Sequence, residues 1–251
     1  MSDRTKSTRL ALASVVASAM LALPLAASAA EPRAVIELFT SQGCDSCPPA
    51  DKLVGELAKD PTLITLSLAV DYWDYIGWKD TLALPGHGPR QRAYSRARGD
   101  RNVFTPQVVV NGATQARGSD RNDIDRAIAQ SQNQSSVLMV PVSLALVEGK
   151  LTAKVPAGKT GNERAEVWLC PIMKTVPVEI TRGANKGHTF TYHNVVRRWI
   201  KIGDWNGTAQ TWTVPVKDFQ TGGVDHVAVL VQSGSLGAPG PMLAAAMLPL
   251  K

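Results

Sequence analysis

A cysteine pair lies in residues 37–51, which read ELFTSQGCDSCPPAD. The residues before the pair, 34–39, form an apolar run of the kind that strands favour. After the pair, the apolar residues in 50–57 recur at helical spacing. The sequence therefore predicts a strand, then Cys44-Asp45-Ser46-Cys47, and then a helix. The two prolines that follow the pair agree with a helix start, because the first N–H groups of a helix have no intrahelical acceptor to lose.

Two cysteines at this spacing on the first turn of a helix bring their sulfur atoms within bonding distance. The helix N-terminus favours a thiolate on the first cysteine, because its free N–H groups carry partial positive charge. The pattern predicts a redox pair in which Cys44 attacks and Cys47 resolves the mixed disulfide. Two alternatives stay open, a static disulfide and half of a metal site. A zinc site would need two further ligands, and neither Cys170 nor the four histidines stand at a paired spacing.

Thr105 and Pro106 stand directly before another β-rich run, residues 107–110. Because proline cannot donate a hydrogen bond within a strand, it is expected where the strand begins. A cis bond there would present the Thr105 backbone beside the cysteines as a surface for a substrate backbone. The alternative is a trans proline that only opens the strand.

A carboxylate, Glu37, interrupts the first predicted strand seven residues before Cys44. Buried beneath the cysteine pair, Glu37 would have a raised pKa and would accept the proton of Cys47 during resolution. Strand alternation turns the same side chain equally well to solvent. Both interpretations of Glu37 stay open at this point.

Beyond its N-terminus, the chain has two regions that differ in their predicted secondary structure. Residues 34–132 alternate between strand-like and helix-like segments, which indicates a sheet covered by helices. After the polar segment 131–136, only β-rich runs separated by Gly, Asn and Pro turns follow, a pattern typical of a β-sandwich. We therefore predict an α/β domain over residues 30–135 and an all-β sandwich over residues 136–251.

The N-terminus, residues 1–29, has the three parts of a secretory signal peptide: a basic start, an apolar run and the small residues Ala27-Ser28-Ala29. An uncleaved anchor is the alternative, but the apolar core is shorter than the roughly 20 residues that a spanning helix needs. Cleavage predicts a periplasmic or secreted protein, in a compartment where disulfides persist. No other segment is apolar enough to predict an integral membrane protein.

The charge of the chain argues against a nucleic-acid partner. The 251 residues include 27 Lys and Arg against 21 Asp and Glu, a formal charge of +6. Removing Asp3, Arg4, Lys6 and Arg9 with the leader lowers this surplus to four, and no dense basic run remains. A hydrophobic fraction of 44% with only three cysteines also excludes a disordered chain and a disulfide-dense mini-protein.

The segments 37–51, 70–80 (VDYWDYIGWKD), 90–94 (RQRAY), 105–112 (TPQVVVNG) and 194–199 (NVVRRW) resemble one exported bacterial family, the domain of unknown function 1223. A strand, a CxxC helix and a later Thr-Pro strand are similar to the thioredoxin superfamily. The resemblance implies a thioredoxin-like N-terminal domain. It also implies Cys44 as nucleophile, Cys47 as resolving thiol and Pro106 as a cis proline, with Glu37 corresponding loosely to a buried acid.

The dipeptide between the cysteines, Asp45-Ser46, differs from the Gly-Pro or Pro-His dipeptide that is common in the thioredoxin superfamily. Asp45 places a negative charge beside the Cys44 thiolate, which is expected to raise the pKa of that thiol. We therefore predict a less oxidising couple than that of a strong disulfide donor.

An aromatic stretch, a cluster of arginines and a third cysteine complete the candidate functional features of the sequence. The aromatic residues of 72–78, with Tyr72 and Trp73 foremost, form either a packed loop or a wall that recognises partner peptides. The cluster of Arg90, Arg92, Arg96, Arg98 and Arg101 is interpreted as a solvated helix face, with a surface that attracts acidic partners or lipid headgroups as the alternative. Cys170 is interpreted as a buried, inert thiol, with pairing between chains as the alternative.

These observations predict an exported thiol–disulfide oxidoreductase that acts on protein thiols and disulfides and is recharged by a redox partner protein. The predicted catalytic residues are Cys44, Cys47 and Glu37, and the predicted substrate-binding residues are Thr105, Pro106, Trp73 and Tyr72. No bound cofactor and no resident metal are expected. The alternatives are a non-catalytic binding or scaffold protein with a structural disulfide, and a protein that captures Cu(I) with two soft thiolates.

Overall fold

The computed structural model describes residues 31–160 and 164–250. The predicted signal peptide, residues 1–29, lies outside the described residues. Within them, no helix is long and apolar enough to cross a membrane.

The elements up to residue 132 follow the predicted order, with one additional strand at Thr114–Arg117. They are β1 (Ala34–Thr40), α1 (Pro48–Leu57), β2 (Leu63–Ala69), α2 (His87–Arg98), β3 (Gln107–Val110), β4 (Thr114–Arg117) and α3 (Arg121–Gln132), with a short 3-10 turn at Asp74–Ile76. The side chain of Asp120 accepts a hydrogen bond from the backbone N–H of Asp123 and caps the start of α3.

The remaining described elements are strands, apart from one 3-10 turn at Val216–Asp218. They are β5 (Ser143–Val147), β6 (Lys150–Val155), β7 (Ala165–Glu179), β8 (Thr189–Val196), β9 (Ile200–Trp205), β10 (Gln210–Pro215), β11 (His226–Ser235) and β12 (Ala238–Pro249). β7 is the longest of these strands, at 15 residues.

The predicted fold class, an α/β thioredoxin-like N-terminal domain beside a separate all-β sandwich, is wrong. Strand dominates the described residues, and one nine-stranded mixed sheet runs in the order β12-β11-β7-β8-β2-β1-β3-β4, with β9 paired to β7. A second, three-stranded sheet has the order β10-β6-β5. Strands from before and after residue 135 therefore share one sheet, and the boundaries of separate folding units stay a prediction.

The junction between β2 and β8 explains why the sequence pattern missed this arrangement. The two strands pair in parallel at Ser67 and Val195. The Ser67 hydroxyl donates to the His193 carbonyl at 2.7 Å, and Asn194 Nδ2 donates to Thr65 Oγ1 at 2.8 Å. These contacts join residues more than a hundred positions apart, and strand periodicity carries no information about such partners.

Opposite faces of β1 pack into two different cores. Ala34, Ile36 and Leu38 face α1 and α3, whereas Val35 and Phe39 pack with residues of α2 and of the C-terminal strands. A third core lies between the three-stranded sheet and the strands β7, β11 and β12. The face of β1 on which a side chain lies therefore decides whether that side chain is near the cysteine helix.

Candidate functional site

Cys44 and Cys47 form a disulfide at the start of α1, with their Cα atoms 5.4 Å apart. Cys47 is the N-cap residue, and its carbonyl accepts hydrogen bonds from the N–H groups of Ala50 at 2.9 Å and Asp51 at 3.1 Å. The predicted strand, cysteine pair and helix are thus present in that order. The partial positive charge of the helix N-terminus is directed at the pair.

The turn before the pair is closed by short-range hydrogen bonds. The N–H of Cys44 donates to the Ser41 carbonyl at 3.1 Å, and the N–H of Gly43 donates to the Ser41 hydroxyl at 3.1 Å. A β-carbon on Gly43 would lie 3.2 Å from Cβ of Trp73. Glycine therefore lets the backbone in front of Cys44 pack closely against Trp73.

Residues 71–80, here called the aromatic segment, hold Gln42 in place from one side. Asp80 Oδ2 accepts a hydrogen bond from the Gln42 N–H at 2.7 Å, and Trp78 Nε1 donates to Gln42 Oε1 at 2.8 Å. These bonds fix the backbone two residues before Cys44. The aromatic segment is therefore part of the structure around the disulfide.

The loop that joins β7 to β8, residues 180–188, covers the pair from another side. Asn185 Nδ2 donates to the carbonyl oxygens of Gln42 and Cys44, both at 2.9 Å. The same loop packs on the aromatic segment, where a β-carbon on Gly183 would lie 3.0 Å from Cβ of Trp78. The C-terminal half of the chain thus supplies a residue that binds the cysteine loop, which the sequence pattern did not predict.

Both cysteines are fully buried in this closed arrangement, at 0% exposure. The two residues between them, Asp45 and Ser46, are exposed, and Ser46 Oγ lies 3.4 Å from Cys44 Sγ. The Cys44 sulfur therefore lies directly beneath a solvent-facing turn. Another polypeptide reaches this sulfur only if the covering residues move.

The Thr105–Pro106 bond is cis and lies beside the end of β1. Phe39 of β1 pairs with Gln107 of β3, which brings Pro106 level with Thr40, four residues before Cys44. Trp73 Nε1 donates to Thr105 Oγ1 at 2.8 Å. Trp73 thus contacts both the turn before Cys44 and the residue before the cis proline.

Tyr72 lies beside that bridge, close enough to the Thr105 hydroxyl for the two side chains to interact. Its hydroxyl donates to Gln91 Oε1 of α2 at 3.1 Å, so its polar end is directed toward the helix. The aromatic residue that extends furthest into solvent is Tyr75, at 83% exposure. Of the predicted substrate-binding residues, Trp73 and Tyr72 both contact Thr105, and Trp73 also contacts the turn before Cys44.

Glu37 lies on the face of β1 that is opposite to α1. Its carboxylate accepts a hydrogen bond from Arg90 Nε at 2.7 Å and another from the Tyr94 hydroxyl, and both partners are buried. Arg90 is therefore a buried ion-pair partner, so its place in a solvated helix face was wrong. The structure does not bring Glu37 to Cys47, because strand alternation turns the Glu37 side chain away from α1, the helix that Cys47 begins.

A different carboxyl group, Asp51, lies one helical turn after Cys47 and is only 4% exposed. Neither of its oxygens has a hydrogen-bond partner within the described residues. Burial raises the pKa of this carboxyl well above its usual range, the Thr40 hydroxyl lowers it, and the charge of Asp80 raises it again. The sequence offered a signal for Asp51, because residues four apart on a helix share a face.

The remaining candidates lie away from the pair. Burial raises the pKa of the Cys170 thiol, and this residue forms no disulfide. Across residues 31–160 and 164–250, no cluster of three or more His, Cys, Asp or Glu side chains is arranged to hold a metal ion. A cavity of about 380 Å³ opens near the C-terminal end of α1, lined by residues such as Lys59, Leu138 and Met247, and does not reach the cysteines.

A family model described as protein of unknown function (DUF1223) matches residues 35–232. The chain belongs to the DUF1223 family. The match spans both the cysteine helix and the β7–β8 loop that carries Asn185, so the DUF1223 unit includes each of the contacts around the disulfide. No match was found among curated proteins.

A similar solved structure is the crystal structure of protein AGR_C_4864 from Agrobacterium tumefaciens. It is 31% identical to this DUF1223 chain, covers 87% of this chain and 94% of its own, and superposes with a TM-score of 0.77. HBP35 of Porphyromonas gingivalis is similar in fold alone, at 12% identity and a TM-score of 0.59 over 88% of this chain and 76% of its own. Neither likeness assigns an activity to the DUF1223 chain.

Proposed function

We propose that this protein is an exported thiol–disulfide oxidoreductase whose redox pair is Cys44 and Cys47. The observation that carries the proposal is a bonded cysteine pair immediately before α1, with Cys47 as the N-cap of the helix and a solvent-facing turn between the two cysteines. A helix N-terminus stabilises the thiolate that forms when such a pair is reduced. The leader predicted at residues 1–29 supports action outside the cytoplasm, where disulfide exchange with other proteins takes place.

The proposed reaction exchanges two disulfides without any further reactant. The Cys44 thiolate attacks one sulfur of a partner disulfide, the partner's sulfur–sulfur bond breaks, and its second sulfur leaves as a thiolate. Cys47 then attacks the Cys44 sulfur, which re-forms the Cys44–Cys47 bond and releases the partner's first sulfur as a thiolate. The partner is reduced by two electrons and the cysteine pair is oxidised, and the reverse sequence oxidises a partner dithiol.

The Thr105–Pro106 segment, in which Thr105 is half-buried and Pro106 is buried, is the part of the site that would contact a protein substrate once the covering residues move. This segment lies beside the end of β1 and is held there by the Trp73–Thr105 hydrogen bond. An extended partner segment placed along it would bring a cysteine toward Cys44. In this interpretation Trp73 positions the segment, and Tyr75, the most exposed ring nearby, contacts the partner.

Full burial of both sulfurs favours a second candidate, a structural disulfide in a non-catalytic protein. The two candidates differ in the reduction potential of the pair. Catalytic pairs range from about −270 to −120 mV, whereas structural disulfides lie below about −300 mV. Because Asp45 places a negative charge beside the Cys44 thiolate, we expect a value nearer the reducing end of the catalytic range.

The experiment equilibrates the purified protein with thiol–disulfide buffers of graded potential and counts free thiols by mass after alkylation. The matched control is Cys170→Ala, which removes the third thiol without touching the pair. A potential within the catalytic range, together with turnover of a disulfide-linked peptide, supports the oxidoreductase. A potential below about −300 mV without turnover contradicts it and leaves the structural disulfide.

Asn185→Ala is expected to make the disulfide easier to reach. The variant loses two hydrogen bonds that fasten the β7–β8 loop to the carbonyl groups of Gln42 and Cys44. At about 1 kcal/mol for each of the two bonds, the rate of reduction by dithiothreitol should rise roughly 30-fold. Stopped-flow measurement of reduction checks the result, with Lys186→Ala, an exposed change in the same loop, as the matched control. Equal rates in both variants would show that this loop does not govern access.

A further inference from the structure

Asp51 is a buried acid whose nearest polar neighbour within the described residues is the Thr40 hydroxyl, beyond normal hydrogen-bond distance. Its side chain is 4% exposed, and both carboxyl oxygens lack hydrogen-bond partners within the described residues. A buried carboxyl group without partners lowers the stability of a folded protein. Asp80 shows the contrast, because it accepts hydrogen bonds from three backbone N–H groups, those of Gln42, Leu82 and Ala83. Asp80 therefore stabilises the turn before Cys44, whereas the Asp51 carboxyl stabilises no backbone group within the described residues.

The position of Asp51 on α1 brings it to the cysteine pair. Its N–H donates to the Cys47 carbonyl, so the two residues are stacked one turn apart. Side chains on a helix tilt toward its N-terminus, and the Asp51 carboxyl is therefore directed back toward Cys47 and the end of β1. There it lies close enough to the Thr40 hydroxyl, itself buried and unpartnered within the described residues, for that hydroxyl to influence it.

The ionisable groups that face Asp51 from neighbouring elements are acidic or neutral. Asp80 lies at the end of the aromatic segment. Tyr192 lies on β8, and burial together with the charges of both carboxyl groups raises the pKa of its hydroxyl. His193, also on β8, packs against Gly55 one turn further along α1, and burial lowers the pKa of its imidazole. These surroundings hold a proton on Asp51 more firmly than water does, which brings its basicity closer to that of a thiolate.

We propose that Asp51 accepts the proton of Cys47 when Cys47 resolves the mixed disulfide, an inference that rests on the proposed oxidoreductase function. The Cys47 S–H bond breaks, its proton passes to a carboxylate oxygen of Asp51, and the resulting thiolate attacks the Cys44 sulfur. The Cys44–Cys47 bond forms, and the partner's sulfur leaves as a thiolate. The proton on Asp51 returns to solvent after the covering residues open, and the reverse sequence returns it to Cys47.

The test separates attack from release in one reaction. Reduced protein is mixed with an aromatic disulfide that liberates one coloured thiolate when Cys44 attacks and a second when Cys47 resolves. Asp51→Asn, which keeps the shape and removes the base, is expected to leave the first phase unchanged. The second phase should slow about 100-fold near neutral pH, since positioned proton transfer contributes on the order of 10² or more. The matched control is Glu56→Gln, which removes an exposed carboxylate from the same helix.

The pH profile of the second phase distinguishes proton transfer from a structural role. In Asp51→Asn the release rate should rise steadily with pH as Cys47 ionises without help, so the deficit against the wild type shrinks in alkali. A deficit of equal size at all pH values, or no deficit, would overturn the role of Asp51. Should Asp51→Asn fail to fold, Asp51→Ala gives the same comparison.

Failure of the proposed function looks different in this experiment. If Cys44 releases no coloured thiolate in wild type or in either variant, the oxidoreductase proposal itself fails. If both phases occur in the wild type and Asp51→Asn matches it at every pH, only the inference about Asp51 fails. The two results cannot be confused, because the first phase depends on Cys44 alone.

Discussion

Cys47→Ala with Cys44 intact is expected to stop turnover at the mixed disulfide and to accumulate proteins joined to Cys44. Release of the partner then depends on a thiol from solution. Because an intramolecular thiol acts at an effective concentration on the order of 10⁵ M or more, release should slow at least about 1000-fold. Expression in the native host, followed by non-reducing electrophoresis and mass spectrometry of the adducts, measures the effect and identifies the partners.

Two further variants serve as controls for the Cys47→Ala trap. Cys44→Ala combined with Cys47→Ala removes both sulfurs and should form no adduct. Cys170→Ala combined with Cys47→Ala should form the same adducts as Cys47→Ala alone. Asn185→Ala added to the trap should raise the yield if the β7–β8 loop limits access. Absence of adducts in the trap, even with that loop loosened and a disulfide-linked peptide supplied, would leave the structural disulfide as the better account.

Arg90→Met is expected to give the largest loss of stability in this protein. The change leaves the Glu37 carboxylate buried without its counter-charge and removes the guanidinium that lies 4.1 Å from the Trp199 ring centre. Breaking one side of a buried ion pair costs about 3–5 kcal/mol, a large fraction of the stability of a typical domain. Denaturant unfolding followed by tryptophan fluorescence measures the loss.

A double variant separates charge burial from packing. Glu37→Leu combined with Arg90→Met removes both charges and is expected to recover most of the lost stability, because apolar residues replace a buried ion pair well. Arg96→Met, the same change at an exposed position of α2, should alter the free energy of unfolding by about 0.5 kcal/mol or less. If Arg90→Met cost no more than Arg96→Met, the ion pair would contribute little to the fold.

The cysteine pair shows how far local sequence patterns extend. A β-rich run, two prolines after the second cysteine and helical spacing beyond them are local signals, and they predicted β1 and α1 and the bonded pair between them. Pro106 at the start of β3 followed from the same kind of reasoning, since proline lacks the N–H that a strand interior requires. Each of these features is decided by residues within a few positions of one another.

Glu37 shows where such reasoning fails. An acid in a strand before the cysteines fits a buried proton acceptor, but the face on which it lies depends on which elements cover the strand. Arg90 and Tyr94, more than fifty residues further along the chain, bind Glu37 on the face opposite to α1. The buried acid that does lie beside Cys47 is Asp51, which helical spacing alone would have placed on the same face as Cys47.

The sequence by itself determined the elements of this protein, the cysteine pair between β1 and α1, and membership of a family through long motifs. Only the tertiary structure decided that β8 joins β2, so that the predicted halves share one sheet, and that Asn185 covers the cysteine loop. The physical reason is the separation along the chain between the residues that interact. Turns, caps and periodicity act within one element, whereas strand partners and the burial of a sulfur depend on contacts between residues far apart in the chain.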